Sequence, residues 1–589
     1  MIRTLDPSQT RAAPARDGQQ RPTAGNGCVG VVVDSRAAAD WSAVDETVLA
    51  ALRHMGIPYQ VLDLAQARLT PSVLDGLRAV LLAQAGLGRS LPAADAEALD
   101  TATRAGLGLI CFDSDLAAYA APLAQTLGLT GTAHSLQCSQ VRLAHDRHFI
   151  TGTRQRGETL FFTQPVGFTR VEAPSLADPE HCLLLSGDGW PALVAHQVGR
   201  GRVVTWTLHP QVWSNACFGH AMGLDDLFWK GIVWAARKPF IMKAMPPFIT
   251  YLEDDGSSSY NHFRYLDVFN DHGYLPQVEL HLEDIDKVLH DVQGQDSRAM
   301  KAKYDTGLAT FAAHAFTYNH HIYFDHAGRR PYPDAELAHN FQRVDEKLKS
   351  WGIRLSRFAN PHFGEVGLNA LPYMRERGVE FIGALLPFGV AWFEEQVERK
   401  EVRLAPYGRS GFVFDYMPGH PEFFGVNALI MPRQMTGVPM VASEFLWNYT
   451  IFWDEHPAGN DLAGAANQAL AQMRLGLDSL FFGELYTHEQ RIAVLSMGEL
   501  DEILTLIDRG LARHTTIQRP YEYIAEYARS KVESWLTEVN VNDGGLVTCD
   551  LAGRATLTTS LYLFTETDGA LHQSFIDVPP FSGSVRVEH

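Results

Sequence analysis

Apolar positions in the first 240 residues fall into two alternating patterns. Short continuous runs, CVGVVVDS at 28–35, YQVLDL at 59–64, LRAVLLA at 77–83 and LGLICFD at 107–113, read as strands buried on both faces. Between them, VDETVLAALRHMG, which ends in Gly56, and the alanine-rich stretch 93–105 place apolar residues at helical spacing. Such alternation predicts a doubly wound parallel sheet covered by helices. ALVAHQVGRGRVVTWTL at 192–208 predicts a β-hairpin turning about Gly199 to Gly201, and DDLFWKGIVWAARKPF at 225–240 an amphipathic helix stopped by Pro239.

A second alternating series opens with PPFITYLEDDG at 246–256. It continues through a helix at 260–272, LPQVELHL at 275–282, SRFANPH at 356–362, GVEFIGALL at 378–386, DSLFFGELYTHE at 478–489 and the helical MGELDEILTLIDRGL at 497–511. That length of β/α alternation predicts a (β/α) barrel with elaborated loops. From about 540 the pattern changes to alternating Thr, Val, Leu and Tyr with turn residues, which predicts a small antiparallel β unit. The expected α/β architecture is a disordered tail over 1–26, a doubly wound domain over 27–241, a barrel over 242–520, and a C-terminal helix with a β-sandwich-like unit over 521–589.

Composition narrows the function classes. A net charge of −19 repels phosphate backbones and anionic lipid, which argues against a nucleic-acid partner. The six cysteines have no ligand-like spacing and predict reduced, buried thiols. The N-terminal segment has no apolar signal core, and no later stretch reaches the ~18 apolar residues of a membrane span. A cytoplasmic protein is therefore expected.

Four segments carry candidate chemistry. Glu253, Asp254 and Asp255 stand together at a strand end, where their mutual repulsion favours a bound cation or a shared proton. HAFTYNHHIYFDH at 314–326 holds four of the 24 histidines, His314, His320, His321 and His326. Clustered imidazoles with a carboxylate suit Zn²⁺ or another divalent transition metal. Arg357, in SRFANPH, is a permanent cation suited to fixing a catalytic carboxylate, with Asn360 and His362 in the following turn. His488, in LYTHE, stands at a strand mouth beside Glu489, as a general acid would.

In this order the four segments resemble the polysaccharide deacetylase family, NodB-homology carbohydrate esterases of family 4 type built on a distorted (β/α) barrel. The resemblance spans about 246–514. The family's TFDDG motif matches YLEDDG, which implies Asp254 as general base and Asp255 as metal ligand. Its H(S/T)xxH motif is met by TYNH at 317–320, with Phe316 where the first histidine should stand, so either His314 or His321 takes that place beside His320. Its RxPY motif is approximated by RFANPH, with His362 in the aromatic position, and THE implies His488 as the acid. The resemblance implies a zinc-dependent enzyme that removes N-acetyl groups from an amino-sugar glycan or its precursor, with Asp254 oriented by Arg357. Tyr318, Asn360, His362 and Tyr486 are the candidate substrate contacts.

The first module resembles the class I glutamine amidotransferase-like, flavodoxin-like fold, in the form of a trimerisation-type accessory domain of some glycosidases. Cys111 lacks a Gly-flanked nucleophile elbow, which implies a non-catalytic module and a route to a homo-oligomer. Two other readings stay open. One is a glycoside hydrolase that pairs a carboxylate of the EDD run with Glu365 or Glu484. The other is a non-catalytic carbohydrate-binding or assembly protein.

Overall fold

Val29–Val33 is buried at every position, because it runs parallel between Tyr59–Asp63 and Ala79–Leu82 in a sheet covered on both faces. The computed structural model describes residues 2–4, 23–128, 133–171, 181–214, 217–257, 261–285, 294–383, 386–392, 407, 413–427, 444–451 and 459–589. It divides into two compact units, Met1–Ala244 with Ser530–His589, and Met245–Arg529. Among the described residues no helix is long and apolar enough to cross a membrane.

The first unit holds a nine-stranded sheet. Its order is Tyr59–Asp63, Val29–Val33, Ala79–Leu82, Gly108–Cys111, Gly201–Trp206, Pro191–Val198, Cys182–Ser186, Ala133–Leu143 and Thr159–Val171. The first five strands are parallel and the rest antiparallel. The hairpin expected at 192–208 forms with Val198 opposite Gly201. The following helix, Asp225–Ala235, stops where Ala236 turns extended, so Pro239 lies beyond the stop rather than causing it. All six cysteines are buried and unpaired. Burial pushes the Cys111 thiol far up, which disfavours its thiolate.

The last sixty residues fold with this unit rather than as a separate one. Ser534–Val541, Val547–Ala555 and Phe581–Glu588 form an antiparallel sheet with Ile2–Thr4 at its edge. Thr559–Thr567 and Ala570–Val578 form another with Phe240–Met242. Ile241 shares one apolar cluster with Leu536, Leu551 and Leu563, so a strand from far upstream joins the core of the C-terminal β unit. The tail expected over 1–26 is tied at both ends. Besides Ile2–Thr4, the Ala24 and Gly27 amides donate to the Thr537 and Val539 carbonyls. Residues 5–22 lie outside the described residues.

The second unit carries a six-stranded sheet in the order His320–His321, Thr310–Thr317, Gln277–His281, Phe248–Gly256 and Gly483–His488, with Ile517–Gln518 also paired to Phe248–Gly256. All its pairings are parallel except the short return of His320–His321 onto Thr310–Thr317. A second sheet runs Phe358–Ala359, Phe381–Ile382, His420–Gly425 and Asp415–Met417. Among the described residues no ladder joins the two sheets into a closed barrel. Helices pack outside. One of them, Met497–Leu511, opens on a capping box in which Ser496 and Glu499 satisfy each other's amides. Parallel strands end at one edge, so residues far apart in sequence are collected there.

Candidate functional site

Asp254 and Asp255 lie near the end of Phe248–Gly256, with Asp254 in register with His488 of the adjacent parallel strand. Ordinary alternation would turn the two carboxylates to opposite faces. A bulge between Glu253 and Gly256 intervenes, and Asp255 takes a left-handed φ of 58°. The turn also needs Gly256, where a Cβ would come within 2.7 Å of Val278. Of the three adjacent carboxyls, all buried, Glu253 is the one with no exposure at all. Burial and the neighbouring Glu489 hold it well above the usual carboxylate range.

Four side chains meet above this strand end: Asp255, His281, His314 and His362, all buried, with one donor atom of each within 4.8 Å of the others. Asp255 Oδ1 lies 3.0 Å from His281 Nε2, 3.5 Å from His314 Nε2 and 3.5 Å from His362 Nδ1. His314 Nε2 is 2.7 Å from His362 Nδ1. Tetrahedral zinc with bonds of ~2.0–2.1 Å separates its ligand atoms by roughly 3.3 Å, which these distances bracket. Asp255 Oδ1 and His281 Nε2 are also buried without a well-formed hydrogen bond among the described residues, as donors waiting for a cation would be.

The outer contacts aim these donors. The His314 Nδ1–H donates to the Asn360 carbonyl, which leaves Nε2 as a lone pair directed into the cluster. Asp284 stands 3.5 Å from His281 Nδ1, and Gln490 Nε2 donates to Asp255 Oδ2 at 3.1 Å. Burial alone would raise Asp255, but His281, His488 and His362 overcome it and hold the carboxyl well below its ordinary range. Burial would likewise lower His281, yet Asp255 and Asp284 carry it up to about 9. Burial and the neighbouring His314 push His362 down.

Beside the cluster is an acid–base pair. Asp254 Oδ2 accepts from the Tyr486 hydroxyl at 2.9 Å and lies 3.9 Å from His488 Nε2, while Asp254 Oδ1 is 3.0 Å from His314 Nε2. His488 Nδ1 is bonded to Glu444 Oε2 at 2.8 Å. Burial would lower His488, but Glu444 raises it to about 9. Glu444 also accepts from the Thr487 hydroxyl and lies 3.8 Å from Arg491.

The expected site residues divide accordingly. Asp254, Asp255, His314, Tyr486 and His488 are gathered together, and His362, expected as a substrate contact, stands among the clustered donors. Asn360 contributes through its backbone carbonyl. Tyr318 is 56 % exposed, with its ring 5.5 Å from that of His362. His320 is half-buried against Phe316 and stands outside the cluster. His321 pairs with Ala315, and its ring lies 4.6 Å from that of His362, beside the cluster but not among its four donors.

Arg357 does not reach Asp254. It precedes its short strand, whereas Asn360 and His362 follow it, so the arginine sits at the opposite edge. There it bonds Glu380 at 2.9 Å and Glu526 at 2.7 Å. Tyr486 holds Asp254 in its stead. Sequence reasoning passed over His281, although VELHL ends an apolar strand in histidine just as LYTH does. Glu444 carried no such signal. Of the two carboxylates considered for glycoside hydrolysis, Glu365 is taken up by His321 and His326. The other, Glu484, is buried, and burial raises it to about 8.

No protein-family model and no curated protein matches this chain. Among solved structures, a family 4 carbohydrate esterase from Streptomyces lividans in complex with acetate aligns with 47% of this chain and 91% of its own, at 10% identity and a TM-score of 0.24. The Bc1960 peptidoglycan N-acetylglucosamine deacetylase aligns with 47% of this chain and 89% of its own, at 14% identity and a TM-score of 0.26. Cytoplasmic protein STM1381 from Salmonella typhimurium covers 32% of this chain and 85% of its own, at 17% identity and a TM-score of 0.24. Likeness at this level assigns no chemistry, which rests on the side chains alone.

Proposed function

We propose that the protein is a metal-dependent hydrolase that removes N-acetyl groups from an amino-sugar glycan or its precursor. The observation that carries this reading is the division of labour between two adjacent aspartates. Asp255 belongs to a cluster of three imidazoles, while Asp254 stands beside it, bonded to Tyr486 and close to His488.

Asp255, His281, His314 and His362 are a donor set suited to Zn²⁺ or a related divalent metal. Such a metal, when bound, supplies Lewis-acid polarisation of the acetyl carbonyl and acidifies water. Asp254, kept in place by the Tyr486 hydroxyl, accepts the proton of the attacking water. His488, held protonated by Glu444, donates to the departing nitrogen, without which an amine is a poor leaving group. The exposed Tyr318, with Phe363 at a ring distance of 6.1 Å, offers an aromatic face to a sugar ring.

The test is acetate release from N-acetylated hexosamine oligomers by the zinc-loaded full chain. Asp255→Ala is expected to abolish release and to remove the zinc held by the cluster that contains Asp255. Undiminished release by that variant refutes the assignment.

A further inference from the structure

Glu365 and two histidines of the segment after Thr310–Thr317 form a second donor group beside the first. We propose that His321, His326 and Glu365 constitute a second divalent-metal site, of the zinc type with two imidazoles and one carboxylate.

Glu365 is buried to 1 % exposure, and its Oε1 is fixed by the Trp392 amide at 2.7 Å. Its other oxygen, Oε2, faces both imidazoles, at 2.8 Å from His326 Nδ1 and 3.2 Å from His321 Nδ1. These separations lie close to the roughly 3.3 Å expected between ligands of one tetrahedral zinc, and the three donor atoms lie within 4.8 Å of one another. His321 is itself buried. Its Nδ1 faces Oε2 without the alignment of a hydrogen bond, and its Nε2 has no hydrogen-bond partner among the described residues. His326 Nδ1 hydrogen-bonds Oε2, so it is the two buried nitrogens of His321 that a cation at this carboxylate would serve.

The surroundings hold the donors in place. The His321 and His326 rings stack at 4.5 Å, and Phe363 stacks on His326 at 5.0 Å. Phe363 is itself held at a left-handed φ of 53°. The His321 ring is 4.6 Å from that of His362, so the two donor groups are contiguous. The proposal does not depend on the reaction assigned above. The competing account is a carboxylate shared by two imidazoles, which takes up protons and no metal.

The metal-free full chain is titrated with Zn²⁺ against a chromophoric chelator, and tightly bound equivalents are counted. Wild type is expected to take two. Glu365→Gln and His326→Gln are each expected to take one fewer, as is Asp255→Asn through the first site. The His326 side chain is partly exposed, so its glutamine variant is the safer one for folding, checked by an unchanged circular dichroism spectrum. The second site is overturned if Asp255→Asn lowers the count while Glu365→Gln and His326→Gln leave it at the wild-type value. The reverse pattern removes the first site and leaves the second standing.

Discussion

Replacing Glu444 by glutamine removes the carboxylate bonded to His488 at 2.8 Å while keeping side-chain size and an oxygen for the Thr487 hydroxyl. His488 is raised to about 9, against an ordinary histidine value near ~6.5, a difference of roughly 3 kcal/mol in favour of the imidazolium, with Glu444 the leading cause of the rise. Because the folded value is the higher one, this contribution is complete below pH ~6.5 and is lost as pH rises through about 9. At pH 8 the protonated fraction is ~0.9 for a group titrating at 9 and ~0.03 for one at 6.5, so complete loss of the shift costs about 30-fold in rate. Asp255 and Asp254 remain and retain part of it, so the expected loss runs from a few-fold to that limit. The assay is acetate release across pH 6 to 10, joined by an NMR titration of ε1-labelled histidines that needs no substrate. The basic limb should move down by one unit or more, while the rate at pH 6 stays within about twofold. An unmoved limb, with His488 still titrating near 9 in the variant, refutes the role given to Glu444.

Tyr486→Phe removes the hydroxyl donor to Asp254 and should lower kcat about 10- to 100-fold with zinc affinity unchanged, as measured by chelator competition alongside steady-state kinetics. His281→Ala should weaken zinc binding by well over ~10-fold, whereas His320→Ala should leave it within about twofold, because only the first belongs to the donor cluster. Arg357→Ala should lower the unfolding free energy by about 1 kcal/mol in denaturant titration through loss of its Glu380 and Glu526 pairs, without changing zinc affinity. A large loss of zinc affinity in that variant would return Arg357 to the site.

The unbroken apolar runs VGVVV, AVLL and PPFITYL were legible as strands because a parallel strand buried on both faces needs an apolar residue at every position. The EDDG turn was legible for a related reason, since carboxylates following such a run must emerge at the carboxyl edge of the sheet. His314 and His488 could be chosen on the same ground. His320 was chosen from local density, and density along the chain says nothing about register. The pairing of His320–His321 with Thr310–Thr317 is irregular at this point, so the sequence pattern alone does not assign the two imidazoles to faces.

Thus the sequence by itself determined that two stretches alternate strands with helices, that an acidic strand end and several histidines are available, and that the cysteines have no ligand-like spacing. Only the tertiary structure decided which histidines converge, because His281 and His314 come from two strands and His362 from the turn after a third, and no local pattern records how these lie in the sheets. It also decided that Arg357 faces away, since position before or after a two-residue strand fixes the edge. And it joined Phe240–Met242 to Thr559–Thr567, since a long-range pairing is chosen by the apolar surface it buries rather than by distance along the chain.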